Sequence, residues 1–104
     1  MYMPALYDTL DDNYVRFEGH DINILIDHNN VPWFNANEMG VALGYSYPKD
    51  AISNNIDDDD KIKLEDINTD IEIDKHPHSI YTNESGLYSL MIISRLPKAK
   101  KFKK

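Results

Sequence analysis

The hydrophobic periodicity of this chain first changes at Asn35, and that change limits the folds open to it. Before it, Val15 and Phe17 alternate with Arg16 and Glu18, and Ile22, Ile24 and Ile26 alternate with Asn23, Leu25 and Asp27. A period of two turns one face of a strand inward. Gly19-His20 and Asp27-His28-Asn29-Asn30 read as turns, and Val31 to Phe34 as a third short strand. After Asn35 the period lengthens. Ala36, Met39, Ala42 and Leu43 share one stripe of a helix over about 36–43. Asn35 is its N-cap, and Glu38 stands at the third helical position, as in a capping box. Gly44 ends that helix. Pro48 opens a second one, running to Asn55, with Ala51, Ile52 and Ile56 inward. Two short helices across a tight glycine turn give a helix-turn-helix outline.

Residues 57–78 read as irregular or hairpin. Ile62 and Leu64 alternate around Lys63, Ile67, Ile71 and Ile73 are strand candidates, and His76-Pro77-His78 interrupts. Ile80 to Thr82 predicts one more short strand. Asn83 then caps a helix from Glu84 to about Ser94, with Leu87, Leu90, Met91 and Ser94 on one face. Pro97 punctuates, and residues 98–104 read as the first turns of a further helix, with Ala99 and Phe102 at i, i+3. The fold class predicted is α+β: a small single domain of short antiparallel strands, a helix-turn-helix-like pair and a C-terminal helical hairpin. Residues 1–13 carry no sustained pattern and are expected to be a flexible lead-in to a domain over 14–104. The last helix has no C-terminal cap, so the domain is expected to continue into a longer protein. Trp33, Phe34, Leu43, Tyr45, Ile52, Leu87, Tyr88, Leu90 and Phe102 are expected in its core.

A chain of 104 residues, 41% hydrophobic and 28% charged, has enough apolar surface for one core. Its longest apolar run, Leu90 to Ile93, is far short of the ~20 residues of a membrane span. No basic and apolar leader opens it, so an intracellular location is expected. There is no cysteine, which excludes disulfides, thiolate metal sites and cysteine nucleophiles.

The net charge of −7 hides a division. Arg95, Lys98, Lys100, Lys101, Lys103 and Lys104 put +6 on the last ten residues, where no acid lies. The first 94 residues hold five basic against eighteen acidic side chains, a balance of −13. Salt screens such fields over about 10 Å, so an acidic body with a basic end can still bind nucleic acid locally. The six basic residues are candidate phosphate contacts. Lys49, Ser53, Asn54 and Asn55 on the second helix are candidate base-edge contacts, since Asn pairs with adenine and Lys with guanine or phosphate. The bland reading of the tail is a solvated helix face, with Ala99 and Phe102 packed inward.

Other motifs carry less. Asp57 to Asp60 lacks the spacing, glycine and terminal glutamate of a calcium loop and reads as a solvated acidic turn. His76 and His78 supply two ligands where a metal needs three or four, and read as an exposed linker. Asn83-Glu84-Ser85-Gly86 is explained by capping, and no nucleophile–base pair stands out. No enzyme, metal site or cofactor is expected.

Two stretches resemble a known family. Pro32-Trp33-Phe34-Asn35-Ala36-Asn37-Glu38, leading to Val41-Ala42-Leu43-Gly44-Tyr45 and Ala51-Ile52, resembles the first half of the Bro-N domain, the N-terminal module of the baculovirus repeated ORF family. Tyr81-Thr82-Asn83-Glu84-Ser85-Gly86-Leu87-Tyr88, followed by Leu90, Ser94, Pro97, Ala99, Lys100 and Phe102, is similar to its closing signature. The resemblance implies a compact α+β module of large DNA viruses and phages. It further implies DNA binding, duplex or single-stranded and of low sequence specificity, in regulation of transcription or replication. Related phage proteins act as antirepressors, which implies an alternative: a module that binds a regulator protein. Nine acids between Asp57 and Asp74 would then form the working surface, mimicking nucleic acid.

Overall fold

β2 (Tyr14–Phe17) and β3 (His20–Ile26) form the hairpin that the alternation predicts. Its two-residue turn is Glu18-Gly19, one position before the expected Gly19-His20, with φ of 52° and 79°. Positive φ at both central residues is the turn geometry whose twist matches that of the strands. The computed structural model describes residues 8–11, 13–70 and 75–93. Within the expected lead-in, β1 (Asp8–Asp11) pairs with the outer side of β2, its register shifting between Thr9 and Asp11. Main-chain pairing holds such a strand and leaves no periodic mark in the sequence, which is why it was not foreseen. The expected hairpin partner of the third helix, residues 98–104, lies outside the described residues.

Asp27 builds the next turn. Its Oδ1 accepts from the N–H groups of Asn29 (2.8 Å) and Val31 (2.9 Å), and its Oδ2 from the Trp33 indole (2.9 Å). These donors, the indole foremost, hold the carboxyl below its ordinary range. The chain then enters β4 (Pro32–Asn35), which pairs with β3 so that Ile24 faces Phe34 and Leu25 faces Trp33. After two helices, β5 (Lys61–Lys63) forms the far edge, and β6 (Ile80–Thr82) inserts between β5 and β4. The sheet order is β1-β2-β3-β4-β6-β5, antiparallel throughout.

The sheet buries both faces. Ile22, Ile24 and Phe34 meet the helices through Met39, Leu43, Ile52, Leu87 and Leu90. On the other side, Leu25, Tyr81 and Ile67 make a smaller core with Trp33, Ile62 and Leu64 packed around it. The alternation along β3 therefore does not sort inside from outside: Asn23 and Leu25 are fully buried, while Ile26 is 39% exposed. Of the expected core, Phe34, Leu43, Ile52, Leu87 and Leu90 are buried, and Trp33, Tyr45 and Tyr88 are half-buried; Phe102 lies outside the described residues.

α1 (Ala36–Ala42) starts on the Asn35 side chain, whose Oδ1 accepts from Glu38 N at 3.0 Å. It ends at Gly44 with φ 86°, where Gly44 N donates to Val41 O and Tyr45 N to Gly40 O. These are the paired bonds of a glycine-terminated helix. α2 (Pro48–Asn55) follows over the predicted span, and α3 (Glu84–Ile93) begins on Asn83, whose Oδ1 accepts from Gly86 N. Asp60 anchors that cap. Its carbonyl accepts from Asn83 N and Thr82 Oγ1, and its carboxylate from Asn83 Nδ2. The acidic run is thus a 3₁₀ turn, Asp58–Asp60, exposed at Asp58 and Asp59 but tied into the fold at Asp60. Tyr45 Oη donates to Leu90 O at 2.7 Å, locking the α1–α2 turn to α3. Among the described residues no helix is long and apolar enough to cross a membrane.

A polar network crosses the sheet. By register, Asn23 would face Asn35, but there the chain leaves the sheet for α1. The Asn23 N–H donates instead to Glu38 Oε1 at 2.7 Å, and Glu38 Oε2 accepts from Lys75 Nζ at 2.7 Å. The Asn23 side chain accepts from Tyr81 Oη and donates to Asn13 O. The hydrogen bond to Glu38 raises the Lys75 ammonium above its ordinary value, and burial raises the Tyr81 phenol.

Two predictions follow from the packing and the network. A Cβ on Gly86 would lie 1.9 Å from Thr82 Oγ1 and 2.8 Å from Ile56 Cγ2. Gly86→Ala should therefore cost about 2–3 kcal/mol and lower Tm by roughly 10–20 °C in thermal circular dichroism. Gly19→Ala, strained by its φ alone, should cost only about 1 kcal/mol. For alkali, a base with a raised pKa and a buried phenol both keep their protons longer folded than unfolded. Stability should then fall as pH rises above about 10. Urea midpoints measured across pH 8–11.5 should show that fall, and Lys75→Gln should make it shallower.

Candidate nucleic-acid interface

Proline at the first position of α2 has its φ set for a helix and gives up only an N–H that would be unpaired there. It can sit close to α1 because Gly40 has no side chain: a Cβ there would lie 2.9 Å from Pro48 Cβ. α2 buries Ala51 and Ile52, so Lys49, Ser53, Asn54 and Asn55 are left exposed.

Beside this helix lies an open cleft of about 710 Å³. Lys49, Ile52 and Ser53 of α2 form one wall, and Asn35, Asn37 and Glu38 at the start of α1 form its end. The opposite wall is Lys61 of β5 with His76, His78, Ser79 and Ile80, the segment leading into β6. That segment is held by three bonds, one to α1 and two from the turn after β5. Lys75 is bonded to Glu38, Pro77 O accepts from Glu65 N, and Ser79 O accepts from Leu64 N. His76 Nδ1 accepts from the His78 N–H at 3.0 Å, so in the neutral ring the proton resides on Nε2. The two imidazoles stand 5.3 Å apart, inclined by 44°.

The charges in the cleft are unequal. Among the described residues that line it, Glu38 is the only acid, and Lys75 already pairs with it. Lys61 lies 3.5 Å from Asp58, whose side chain is almost wholly exposed, so the acidic run borders one end of the cleft. Lys49 makes no ion pair among the described residues. An ammonium pair with two imidazoles, hydroxyls and amides suits an anion with hydrogen-bonding edges. Among the described residues no three His, Asp or Glu side chains converge where a metal ion could sit.

Of the residues picked from sequence, Lys49 and Ser53 share the cleft. Asn54 and Asn55 lie on the same helix but do not line it, and Asn55 Nδ2 is engaged with Ala51 O at 2.9 Å. Arg95, Lys98, Lys100, Lys101, Lys103 and Lys104 lie outside the described residues. Lys61, His76, His78 and Asn37 were not singled out as nucleic-acid contacts. The pairing of β5 with β6 brings Lys61, His76 and His78 to the cleft, and its sequence traces are the alternation of Ile62 and Leu64 around Lys63 and the short strand expected at Ile80 to Thr82; Asn37 comes from the first turn of α1.

No curated protein and no solved structure matches this chain. A family model does: that of the BRO family, N-terminal domain, matches residues 21–104, a span that includes the whole cleft. By that match, over more than half its length, the chain belongs to the BRO family through its N-terminal domain.

Proposed function

We propose that this BRO-family domain is a viral DNA-binding module acting in the regulation of transcription or replication. The observation that carries the reading is the cleft. In a chain of net charge −7, it gathers Lys49, Lys61 and two imidazoles, and the one carboxylate among its described lining residues is already paired with Lys75. Phosphate contacts of this kind supply affinity without sequence information, so specificity is low. Arg95, Lys98, Lys100, Lys101, Lys103 and Lys104 add a second group of basic residues in the last ten positions of the sequence. The reading assigns no catalysis and no cofactor, and it puts the protein in the host nucleus or cytoplasm.

A second reading is favoured by the contact between Asp58 and Lys61. It sets the acidic run at the rim of the same cleft, where it would serve a module that binds a regulator protein, as an antirepressor does. One titration separates the two. Fluorescence anisotropy with a duplex of about 20 base pairs should show binding that weakens with salt, each neutralised phosphate contributing about −0.9 to the log–log slope. Lys49→Ala should weaken binding at every salt concentration. Lys100→Ala with Lys101→Ala should reduce the slope by about 2. Absence of binding to duplex and single strand alike at low salt overturns the DNA reading and leaves the protein-interaction one.

A further inference from the structure

We propose that the apolar face where the α1–α2 turn meets the end of α3 is a docking surface for residues 94–104 of the same chain, with Phe102 as the side chain it takes. This holds whether or not the domain binds DNA. Among the described residues five large hydrophobic side chains are exposed. Four of them, Val41, Tyr47, Ile92 and Ile93, belong to one end of the domain. Val41 and Tyr47 adjoin the close contact of Gly40 with Pro48, where α1 meets α2. Tyr45 donates from that turn to the carbonyl of Leu90 in the last turn of α3, which brings Ile92 and Ile93 to the same place. That last turn, Leu90–Ile93, is apolar on every side. A helix apolar all round belongs inside a protein. Leu90 and Met91 are buried as this requires, yet Ile92 is 58% exposed and Tyr47 75%.

The chain itself points to the occupant. Residues 94–104 lie outside the described residues, and they follow directly on Ile93, at this face. The BRO-family match runs through residue 104, so they belong to the same domain. Pro97 lacks an N–H and crowds the residue before it, which opposes a straight continuation of α3. Past it, Ala99 and Phe102 stand three apart, the spacing of neighbours on one helix face, in a sequence otherwise made of lysines. Nine residues from Ile93 to Phe102 span up to about 30 Å, more than twice the 12.9 Å radius of gyration, so the ring can reach all of this end. Charge agrees with the choice. Asp50 is exposed one turn from Tyr47, whose carbonyl accepts its N–H, and it makes no ion pair among the described residues. The carbonyls that end α3 also favour nearby cations. The tail lysines meet both. Docked there, they become part of the surface of the domain beside α2 instead of a separate arm.

The test is trypsin cleavage of the full chain at the Lys98–Ala99 bond, with a free peptide of residues 94–104 as reference. Cleavage of a docked segment follows the fraction of time it is open. The bond should be cut at least about 10-fold more slowly in the protein than in the peptide. Phe102→Ser, compared with a peptide carrying the same change, should abolish most of that protection. Ile92→Ser and Val41→Ser, on the receiving face, should do the same. Ile92→Ser combined with Phe102→Ser should lose no more than either alone, because the two share one contact. Phe102→Leu should keep most of the protection. Thermal melts of each variant check that the body is folded. Cleavage at the rate of the peptide overturns the inference, and so does protection that neither Ile92→Ser nor Phe102→Ser changes. A dimer in sedimentation that Ile92→Ser dissociates also overturns it and gives the face to a second copy.

Discussion

The Glu38 carboxylate is where the parts of this domain meet. One oxygen takes the Asn23 N–H, which lies one residue past the last β3–β4 pair, Ile24 with Phe34, and the other takes the Lys75 ammonium. A sheet, the first turn of a helix and the segment leading to the last strand are thus joined at one side chain. A hydrogen bond to a charged group contributes about 1.5–3 kcal/mol, and a buried donor left unpaired costs a similar amount. The ion pair itself, with both side chains about one quarter exposed, contributes much less than its geometry suggests. Its value is positional, since Lys75 is the residue that leads into His76 and His78.

The same side chain shows what a sequence motif does and does not say. Asn35 with Glu38 reads as a capping box, and half of it forms: Asn35 Oδ1 accepts from Glu38 N. The reciprocal bond is replaced by one to a strand 15 residues away. Local signals were legible throughout. Pro48 and Asn55 bound α2, Gly44 ends α1 and Asn83 starts α3, because each acts on its own neighbours. Non-local features were not. Asn23 sits among isoleucines where alternation would send it to solvent, and it is buried because Tyr81, 58 residues on, supplies its partner. The cleft was legible only on its α2 side. Its other wall is made by the pairing of β5 with β6, and a pair of histidines flanking a proline looks the same in a linker.

Charge is handled by segregation. The first turn of α1 supplies the one carboxylate among the described residues of the cleft and Lys75 covers it, while the acids of the 3₁₀ turn at Asp58–Asp60 are spent differently: two in solvent, one as the anchor of α3. Asp60 shows that a run of like residues need not have one role. Its carbonyl and carboxylate together satisfy three donors at the junction of β6 and α3.

The position of β6 has a consequence for how the domain comes into being. Of the six strands among the described residues, the one between β4 and β5 is the last to leave the ribosome. Until Thr82 has emerged, β4 and β5 each lack their common neighbour, and the nascent chain carries two open edges able to pair with other chains. Joining β4 to β5 through a later strand demands contacts distant in sequence, which slows folding. The wall that holds His76 and His78 forms in the same step. A nascent chain therefore has no complete cleft until its sheet is closed.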